Sequence, residues 1–146
     1  MTTVDDCRLV ELPKVFRPEG SLTAVEAEGD IVPFPIARVF YIYDVVGGAV
    51  RGGHAHRELE QFMVAAMGGF TVQLWDGERR RDVELNRAYW GLYIPRLIWA
   101  DLVNFTSGAV SVVLTSLAFD EAEYIRDRDA FVAYRGQLAR DGHTAA

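Results

Sequence analysis

The sequence predicts an all-β domain that ends in one short helix. Short segments rich in β-branched and aromatic residues recur at near-regular spacing along residues 9–116, and Gly, Pro or Asp turns separate them. Many short strands of this kind form a sandwich or a barrel. After residue 120 the period changes, because Phe131, Tyr134 and Leu138 recur at helical spacing. Half of the 146 residues are hydrophobic, so residues 1–146 are expected to fold as a single domain.

The predicted elements follow one another in a simple order. Pro13 confines the first strand, at residues 9–16, to a sheet edge. Asp120 followed by Glu123 has the pattern of a capping box and predicts the start of the C-terminal helix. Residues 1–7 and 141–146 are expected to be mobile, and the basic segment 79–81 to form an exposed loop. The other strands are predicted at residues 22–26, 38–43, 61–66, 70–75, 82–85, 91–94 and 110–116, with one more after Gly48.

The composition argues against several classes of protein. The net charge of −6 is unfavourable for non-specific nucleic-acid binding, which needs a basic surface. The one cysteine, Cys7, excludes an intramolecular disulfide and fits a reducing compartment. No apolar run approaches the ~20 residues of a membrane span, and the N-terminus lacks a signal-peptide pattern. We therefore expect a cytoplasmic protein with neither nucleic acid nor membrane as a partner.

Residues 48–68 carry the strongest functional pattern, centred on the sequence RGGHAH at residues 51–56. His54 and His56 are two residues apart, and this spacing puts both imidazoles on the same face of a strand. The two glycines before them allow a bulge, which can re-aim a side chain. The sequence therefore predicts a histidine pair that faces the interior of a β-protein.

The spacing around this pair resembles the first motif of the cupins, in which a glycine, His-x-His, an acidic residue and a second glycine follow one another. The glycines here are Gly48 and Gly68. The acidic position, a glutamate ligand in metal-binding cupins, is Gln61. In the second motif, after Pro95, Ala100 stands where another histidine is expected. Alanine does not coordinate and a neutral amide is a poor transition-metal ligand. We therefore predict a barrel with no bound metal.

Five segments together resemble one cupin family, the sugar-nucleotide 3,4-ketoisomerases, also called WxcM-like: residues 38–44, 51–56, 59–61, 91–95 with Trp99, and 120–126. The resemblance implies an RmlC-like jelly-roll β-barrel with a short C-terminal helix. It implies that the ketone of dTDP-4-keto-6-deoxy-D-glucose moves from C4 to C3, giving a dTDP-3-keto-6-deoxyhexose for deoxyamino-sugar biosynthesis. It also implies that no metal or other cofactor is used, and that the protein is a homodimer with exchanged N-terminal strands.

The implied chemistry needs groups that move protons near neutral pH. The C4 carbonyl acidifies the hydrogen on C3, and its removal gives an enediolate that is then protonated at C4. Imidazole, with an unperturbed pKa near 6.5, can both accept and donate these protons. We assign His56 as the C3 base and His54 as its partner or second proton carrier. Tyr41 is the third candidate, as a hydroxyl relay or a hydrogen-bond donor to the sugar.

Four residues are candidates for binding the substrate. Arg51 and Arg38 suit the diphosphate, because a guanidinium can bind phosphate oxygens in a bidentate fork. Gln61 is expected to bond a sugar or base oxygen, and Trp99 is one of the aromatic residues that could stack on thymine. Strand alternation puts Arg38 and Tyr41 on opposite faces, so only one of them is expected to line the barrel.

Other functions stay open at this point. A dTDP-sugar 3,5-epimerase shares the fold, the nucleotide and the first deprotonation. A metal cupin, such as a dioxygenase, needs ligands that Gln61 and Ala100 do not supply. A non-catalytic cupin module would bind the sugar nucleotide without turnover. Phe40 stands where the resembled family often has tyrosine, and Glu19 where it often has arginine. These departures leave the gluco or galacto configuration at C4 of the product open.

Overall fold

The structure is a computed structural model that describes residues 1–144. Within this range the strands are β1 (Arg8–Glu11), β2 (Arg38–Ile42), β3 (Arg51–His56), β4 (Gln61–Met67), β5 (Phe70–Trp75), β6 (Arg80–Leu85), β7 (Trp90–Ile94), β8 (Trp99–Val103), β9 (Val110–Thr115) and β10 (Tyr124–Ile125), and the helix is α1 (Arg128–Thr144). The strands form two antiparallel sheets in the orders β1-β7-β4-β9-β2 and β10-β3-β8-β5-β6. This two-sheet sandwich followed by a helix confirms the predicted cupin-like fold class.

The main core lies between the two sheets, because each strand turns alternate side chains inward. Its buried members come from both sheets and include Met63, Val72, Leu74, Leu92, Ile98, Leu102 and Val113. A second apolar cluster covers the outer face of the first sheet, where Phe62 and Leu114 pack beneath residues of the 12–36 segment. Gly91 makes room for this cluster, since a Cβ there would overlap the Phe62 ring. The first sheet is therefore buried on both faces over much of its width.

A third cluster holds α1 against the outer face of the second sheet. Phe131 is fully buried among the indoles of Trp75 and Trp99, with ring centroids 5.6 and 5.8 Å away. Ile125 of β10 and Ala55 of β3 complete the cluster. The helix thus packs directly behind the strand that carries the histidines.

The N-terminal residues are held in place, which corrects the expectation that residues 1–7 are mobile. Val4 and Cys7 are buried. The Val4 amide donates to the Asp76 carboxylate at 3.0 Å, and Arg81 donates to the carbonyls of Val4 and Cys7 at 3.0 and 2.6 Å. Because the apolar side chains are buried and the backbone groups have partners, this segment belongs to the folded body.

Three strand predictions need correction. Residues 22–26 form no strand; Leu22 makes only an isolated bridge with Val15. The basic segment is not a long loop, because Arg80 already pairs with Trp75 in the β5–β6 hairpin, whose turn is closed by Asp76. Strands β8 and β10 were not predicted. Strand β8 was missed because the segment was interpreted as a turn after Pro95, and β10 because it is only two residues long. Both unpredicted strands flank β3.

The C-terminal helix begins later and is longer than predicted. Asp120 caps a short 3₁₀ turn at Glu121–Glu123 rather than an α-helix. Helix α1 has 17 residues and begins after Asp127, whose carboxylate accepts from the Ala130 amide at 2.8 Å. Residues 141–144, expected to be mobile, continue the helix, while 145–146 lie outside the described residues. No helix in the described part of the chain is long and apolar enough to cross a membrane.

Candidate active site

A cavity of about 730 Å³ opens between the two sheets on the side of β2 and β3. Its lining combines three kinds of group: apolar side chains from the core, three arginines, and His54 with Gln61 and Tyr124. The backbone and side chains of residues 43–50 form part of its wall. Most of the polar residues predicted from the sequence are therefore brought together in one place.

A β-bulge in β3 aims the functional side chains into this cavity. Arg51 pairs with Leu102 and His54 pairs with Ala100, so the four residues 51–54 of β3 lie opposite three residues of β8. In a regular strand, residues 51 and 54 would face opposite ways; the extra residue, Gly53, puts both on the cavity side. The bulge also requires Gly52, with φ of +79°, because a Cβ there would lie 2.7 Å from the Ala100 carbonyl. The predicted bulge at the two glycines is confirmed.

His54 and His56 form a compact cluster with Tyr124. The two imidazole centroids are 4.8 Å apart, and the Tyr124 ring lies 4.8 Å from His54 and 4.6 Å from His56. All three contacts are edge-to-face. The predicted interior histidine pair is thus present, with a third ring against it. His54 lines the cavity, whereas His56 is only 4% exposed and lies deeper.

Both histidines favour the neutral form. Burial lowers the pKa of His56 from 6.5 to about 3, and repulsion from His54, then from Arg126 and Arg38, acts in the same direction. Burial also lowers the pKa of His54 below its usual 6.5, with a smaller contribution from Arg126. A neutral imidazole has a free lone pair that can accept a proton, while the lowered pKa also makes it a weaker base.

His56 is held by the side-chain amide of Gln61 and by a hydrogen bond to its own backbone carbonyl. Gln61 of β4 points into the same space, with its amide nitrogen 3.5 Å from Nδ1 of His56. The His56 carbonyl accepts a hydrogen bond from the Leu97 amide at 2.9 Å. The Leu97 carbonyl in turn accepts from Arg135 of α1 at 2.7 Å. Gln61 therefore contacts a histidine, in addition to lining the cavity as predicted.

Arg38 and Tyr41 lie on opposite faces of β2, as strand alternation predicts. Phe40 pairs with Val113 of the inner core, which fixes the inward face of the strand. Arg38 is on that face, and its Nη1 is buried with no hydrogen-bond partner among the described residues. Tyr41 faces outward, is 63% exposed and contacts Tyr43 at the rim of the cavity, with the two rings tilted by 34°. Within one chain, this geometry gives no support to Tyr41 as a proton relay.

Trp99 does not line the cavity, which corrects the expectation that it contacts the substrate. In β8, Ala100 and Leu102 face the cavity, so the alternate residues face outward. Trp99 is 3% exposed and packs with Trp75 beneath α1. The segment 91–99 indicated an aromatic residue near the site, but the face of Trp99 depended on β8, which was not predicted.

Tyr124 and Arg126 are site residues that sequence reasoning did not single out. Both line the cavity, and the Arg126 guanidinium lies 4.5 Å from the Tyr124 ring while pairing with Glu121. They belong to the segment 120–126, which contributed to the family resemblance and predicted a helix start, but neither residue was assigned a role. Strand β10 brings Tyr124 directly opposite His56 in register.

The side chains at the cupin ligand positions are His54, His56, Gln61 and Ala100. Among residues 1–144 no group of three or more His, Cys, Asp or Glu side chains is placed to hold a metal ion. Two imidazoles and an amide form a weak donor set for a transition metal.

The sequence matches the family profile FdtA, described as WxcM-like, C-terminal, over residues 5–136. The chain is 39% identical over 131 residues to the TDP-4-oxo-6-deoxy-alpha-D-glucose-3,4-oxoisomerase of Aneurinibacillus thermoaerophilus, a match that covers 90% of this chain and 94% of that protein.

Two solved structures are similar in both sequence and fold. QdtA, a 3,4-ketoisomerase from Thermoanaerobacterium thermosaccharolyticum, was solved as a histidine-to-asparagine variant in complex with TDP-4-keto-6-deoxyglucose. It is 32% identical, with a TM-score of 0.85 over 88% of this chain and 93% of that chain. WlaRB, a TDP-quinovose 3,4-ketoisomerase from Campylobacter jejuni, is 38% identical, with a TM-score of 0.84 over 89% and 99%.

The low pKa of His56 predicts a pH dependence of stability. Unfolding restores a pKa of 6.5, so between pH 6.5 and about 3 the unfolded chain binds a proton that the folded protein excludes. Stability should therefore fall as the pH falls through this window. Between pH 7 and pH 5 the wild type should lose about 2 kcal/mol more unfolding free energy than His56→Asn. Urea titrations at both pH values measure the difference; equal losses in the two proteins would contradict it.

Proposed function

The chain belongs to the FdtA family, WxcM-like, C-terminal, and is a sugar-nucleotide 3,4-ketoisomerase; we propose that it converts TDP-4-keto-6-deoxyglucose into a TDP-3-keto-6-deoxyhexose through an enediol(ate). The observation that carries the mechanism is the pair of imidazoles, with pKa values lowered by burial, at the wall of a cavity large enough for a sugar. The relatives named above act on, or bind, sugars of this kind.

We assign the carbon-bound protons to the histidine pair, with His54 as the C3 base. His54 lines the cavity and His56 lies behind it, so we reverse the order of roles predicted from the sequence. His54 removes the C3 hydrogen, and the electron pair moves onto the C4 oxygen as the enolate forms. Protonation at C4 later in the reaction completes the transfer. His56, in ring contact with His54, acts as its partner or as a second proton carrier.

The proposed mechanism uses no metal ion and no other cofactor. The C3 hydrogen is already acidified by the adjacent carbonyl, and neutral imidazole is a sufficient base for such a proton. Gln61 and Ala100, at the remaining cupin ligand positions, favour this over a metal-dependent reaction. Undiminished turnover after dialysis against a chelator tests this part of the proposal.

We propose Arg51 and Arg38 as the residues that bind the diphosphate. Arg51 is exposed at the cavity mouth and makes no side-chain hydrogen bond within the described residues, so its guanidinium is available to a ligand. Arg38 is partly buried, and its unpartnered Nη1 would be satisfied by an anionic oxygen. Gln61 remains a candidate for a sugar oxygen through the part of its amide that does not contact His56.

We also propose that the protein is a homodimer in which N-terminal segments are exchanged, so that the pairing of β1 with β7, which the described chain makes within itself, would be made between the two copies. Strand β2 is an edge strand of the first sheet, so one row of its backbone groups is unpaired. Its outer face exposes Val39 and Tyr41, and the nearby chain exposes Phe16 and Leu22, which are 71% and 60% accessible. A second copy of the chain would cover these side chains.

Replacing His54 with asparagine tests the proposed base. We expect product formation and exchange of the C3 hydrogen with deuterated water both to fall by at least about 100-fold, because general-base catalysis contributes 10²- to 10⁴-fold. Proton NMR measures both and also identifies the product, which separates a shifted ketone from inversion at C3 and C5. His143→Asn, in α1, is the matched control. Wild-type exchange rates in His54→Asn would show that the base lies elsewhere.

Arg51→Ala tests the diphosphate assignment. Losing a charge-assisted hydrogen bond made equally in the ground and transition states should raise KM by about 10- to 100-fold and change kcat by less than about threefold. Steady-state kinetics supply both constants, and Arg87→Ala, an exposed arginine bonded to the neighbouring Asn86 carbonyl, is the control. A fall in kcat at constant KM would exclude a simple binding role.

The dimer proposal predicts a molar mass of twice the monomer by light scattering. Phe16→Asp should shift the protein toward the monomer, because a charge would be buried in the interface. Lys14→Asp, a charge change on a residue that is already polar, is the comparison. A monomeric wild type at micromolar concentration would contradict the proposal.

A further inference from the structure

Moving a ketone from C4 to C3 requires protons to move on oxygen as well as on carbon. After the C3 hydrogen has left, O4 carries the negative charge and O3 still carries a proton. The intermediate must gain a proton on O4 and lose the one on O3 before C4 is protonated and C3 becomes the carbonyl. One hydroxyl that donates to O4 and accepts from O3 can perform both transfers and return to its starting state. The histidine pair is already assigned to the carbon atoms.

Three tyrosines of the cavity wall could supply such a hydroxyl, namely Tyr41, Tyr43 and Tyr124. Tyr41 and Tyr43 contact each other at the rim, with ring centroids 5.7 Å apart, and are 63% and 59% exposed. The aromatic residue of β2 that faces inward is Phe40, which has no hydroxyl. Tyr124 alone among the three is in ring contact with both imidazoles. Of the three tyrosines, Tyr124 is therefore the one next to a sugar whose C3 lies within reach of His54.

Tyr124 is also the most firmly positioned of the three. It lies opposite His56 in the β10–β3 ladder, and the next residue, Ile125, is buried under α1. The preceding residue, Glu123, accepts hydrogen bonds from the amides of Glu58 and Leu59 at 2.8 and 2.9 Å. The backbone at Tyr124 is thus fixed from both sides along the chain. Its hydroxyl makes no hydrogen bond to any residue in 1–144, so it is available to a ligand.

We propose that the Tyr124 hydroxyl is the oxygen-side proton carrier of the reaction, an assignment that rests on the proposed ketoisomerase function. Its proton passes to O4 as the enolate forms, and it recovers a proton from O3 as the C3 carbonyl develops. No proton is gained or lost overall by the tyrosine, and no oxidant or other reactant is needed. Tyr124 is therefore a catalytic residue in the sense that it touches the reacting oxygens.

The substitution Tyr124→Phe separates this step from the carbon chemistry. Without the hydroxyl, C3 deprotonation can still occur and reverse, whereas the intermediate cannot readily exchange its oxygen protons. We expect product formation to fall by about 100-fold or more, within the range for general acid–base catalysis. Incorporation of deuterium at C3 of recovered substrate should fall less, so that the ratio of exchange to product formation rises at least about tenfold. Both quantities come from one NMR time course in deuterated water.

Two further variants make the result decisive. Tyr134→Phe, on α1 beneath Arg57, removes a hydroxyl outside the cavity and should leave both rates unchanged. Tyr41→Phe applies the same measurement to Tyr41, the relay predicted from the sequence. An unchanged ratio in Tyr124→Phe overturns the assignment, as does a raised ratio in Tyr41→Phe alone. Loss of exchange and product together, in a variant that still binds TDP as the wild type does, also overturns it. If the wild type itself forms no 3-keto product, the proposed function fails instead.

Discussion

The bulge in β3 is the constraint on which the arrangement of the site depends. Without the extra residue at Gly53, the strand would turn Arg51 away from the face that carries His54, and the proposed diphosphate-binding residue and the proposed base could not share one cavity. The same strand is held on its other edge by β10, which supplies Tyr124. Backbone pairing, more than any single side-chain contact, therefore sets the distances between the side chains that line the cavity.

The electrostatics of the site follow from what surrounds the imidazoles. Burial and the positive charges of Arg38 and Arg126 both disfavour protonation of His56. An acidic residue at position 61 would oppose this effect, but Gln61 adds no charge. Arg38, which we propose as a diphosphate-binding residue, thus also helps to keep His56 neutral. One guanidinium nitrogen of Arg38 has no hydrogen-bond partner in the described structure, and a bound anion would supply one.

The sequence predicts correctly those features that depend on neighbouring residues, and it fails for those that depend on pairing between distant segments. The histidine pair, the bend or bulge at the glycines and the opposite faces of Arg38 and Tyr41 follow from local alternation and glycine placement, and all three are confirmed. Trp99 and Tyr124 were misjudged because their orientation depends on β8 and β10, whose pairing is set by β3 and not by their own residues. The prediction for the N-terminal segment, residues 1–7, failed for a related reason. The residues that bind this segment, Asp76 and Arg81, lie about seventy positions away in the chain, and no local sequence pattern indicates these contacts.

Two hydrogen bonds through Leu97 connect helix α1 to the backbone of the site. Arg135 holds the Leu97 carbonyl, and the Leu97 amide holds the carbonyl of His56. Leu97 is in a left-handed conformation, with φ of +61°, that a leucine does not favour on its own. If α1 opens locally, this turn loses one of its restraints and the backbone behind the imidazole is freed. Helix α1 therefore helps to hold the backbone of His56, and with it the buried ring, in position.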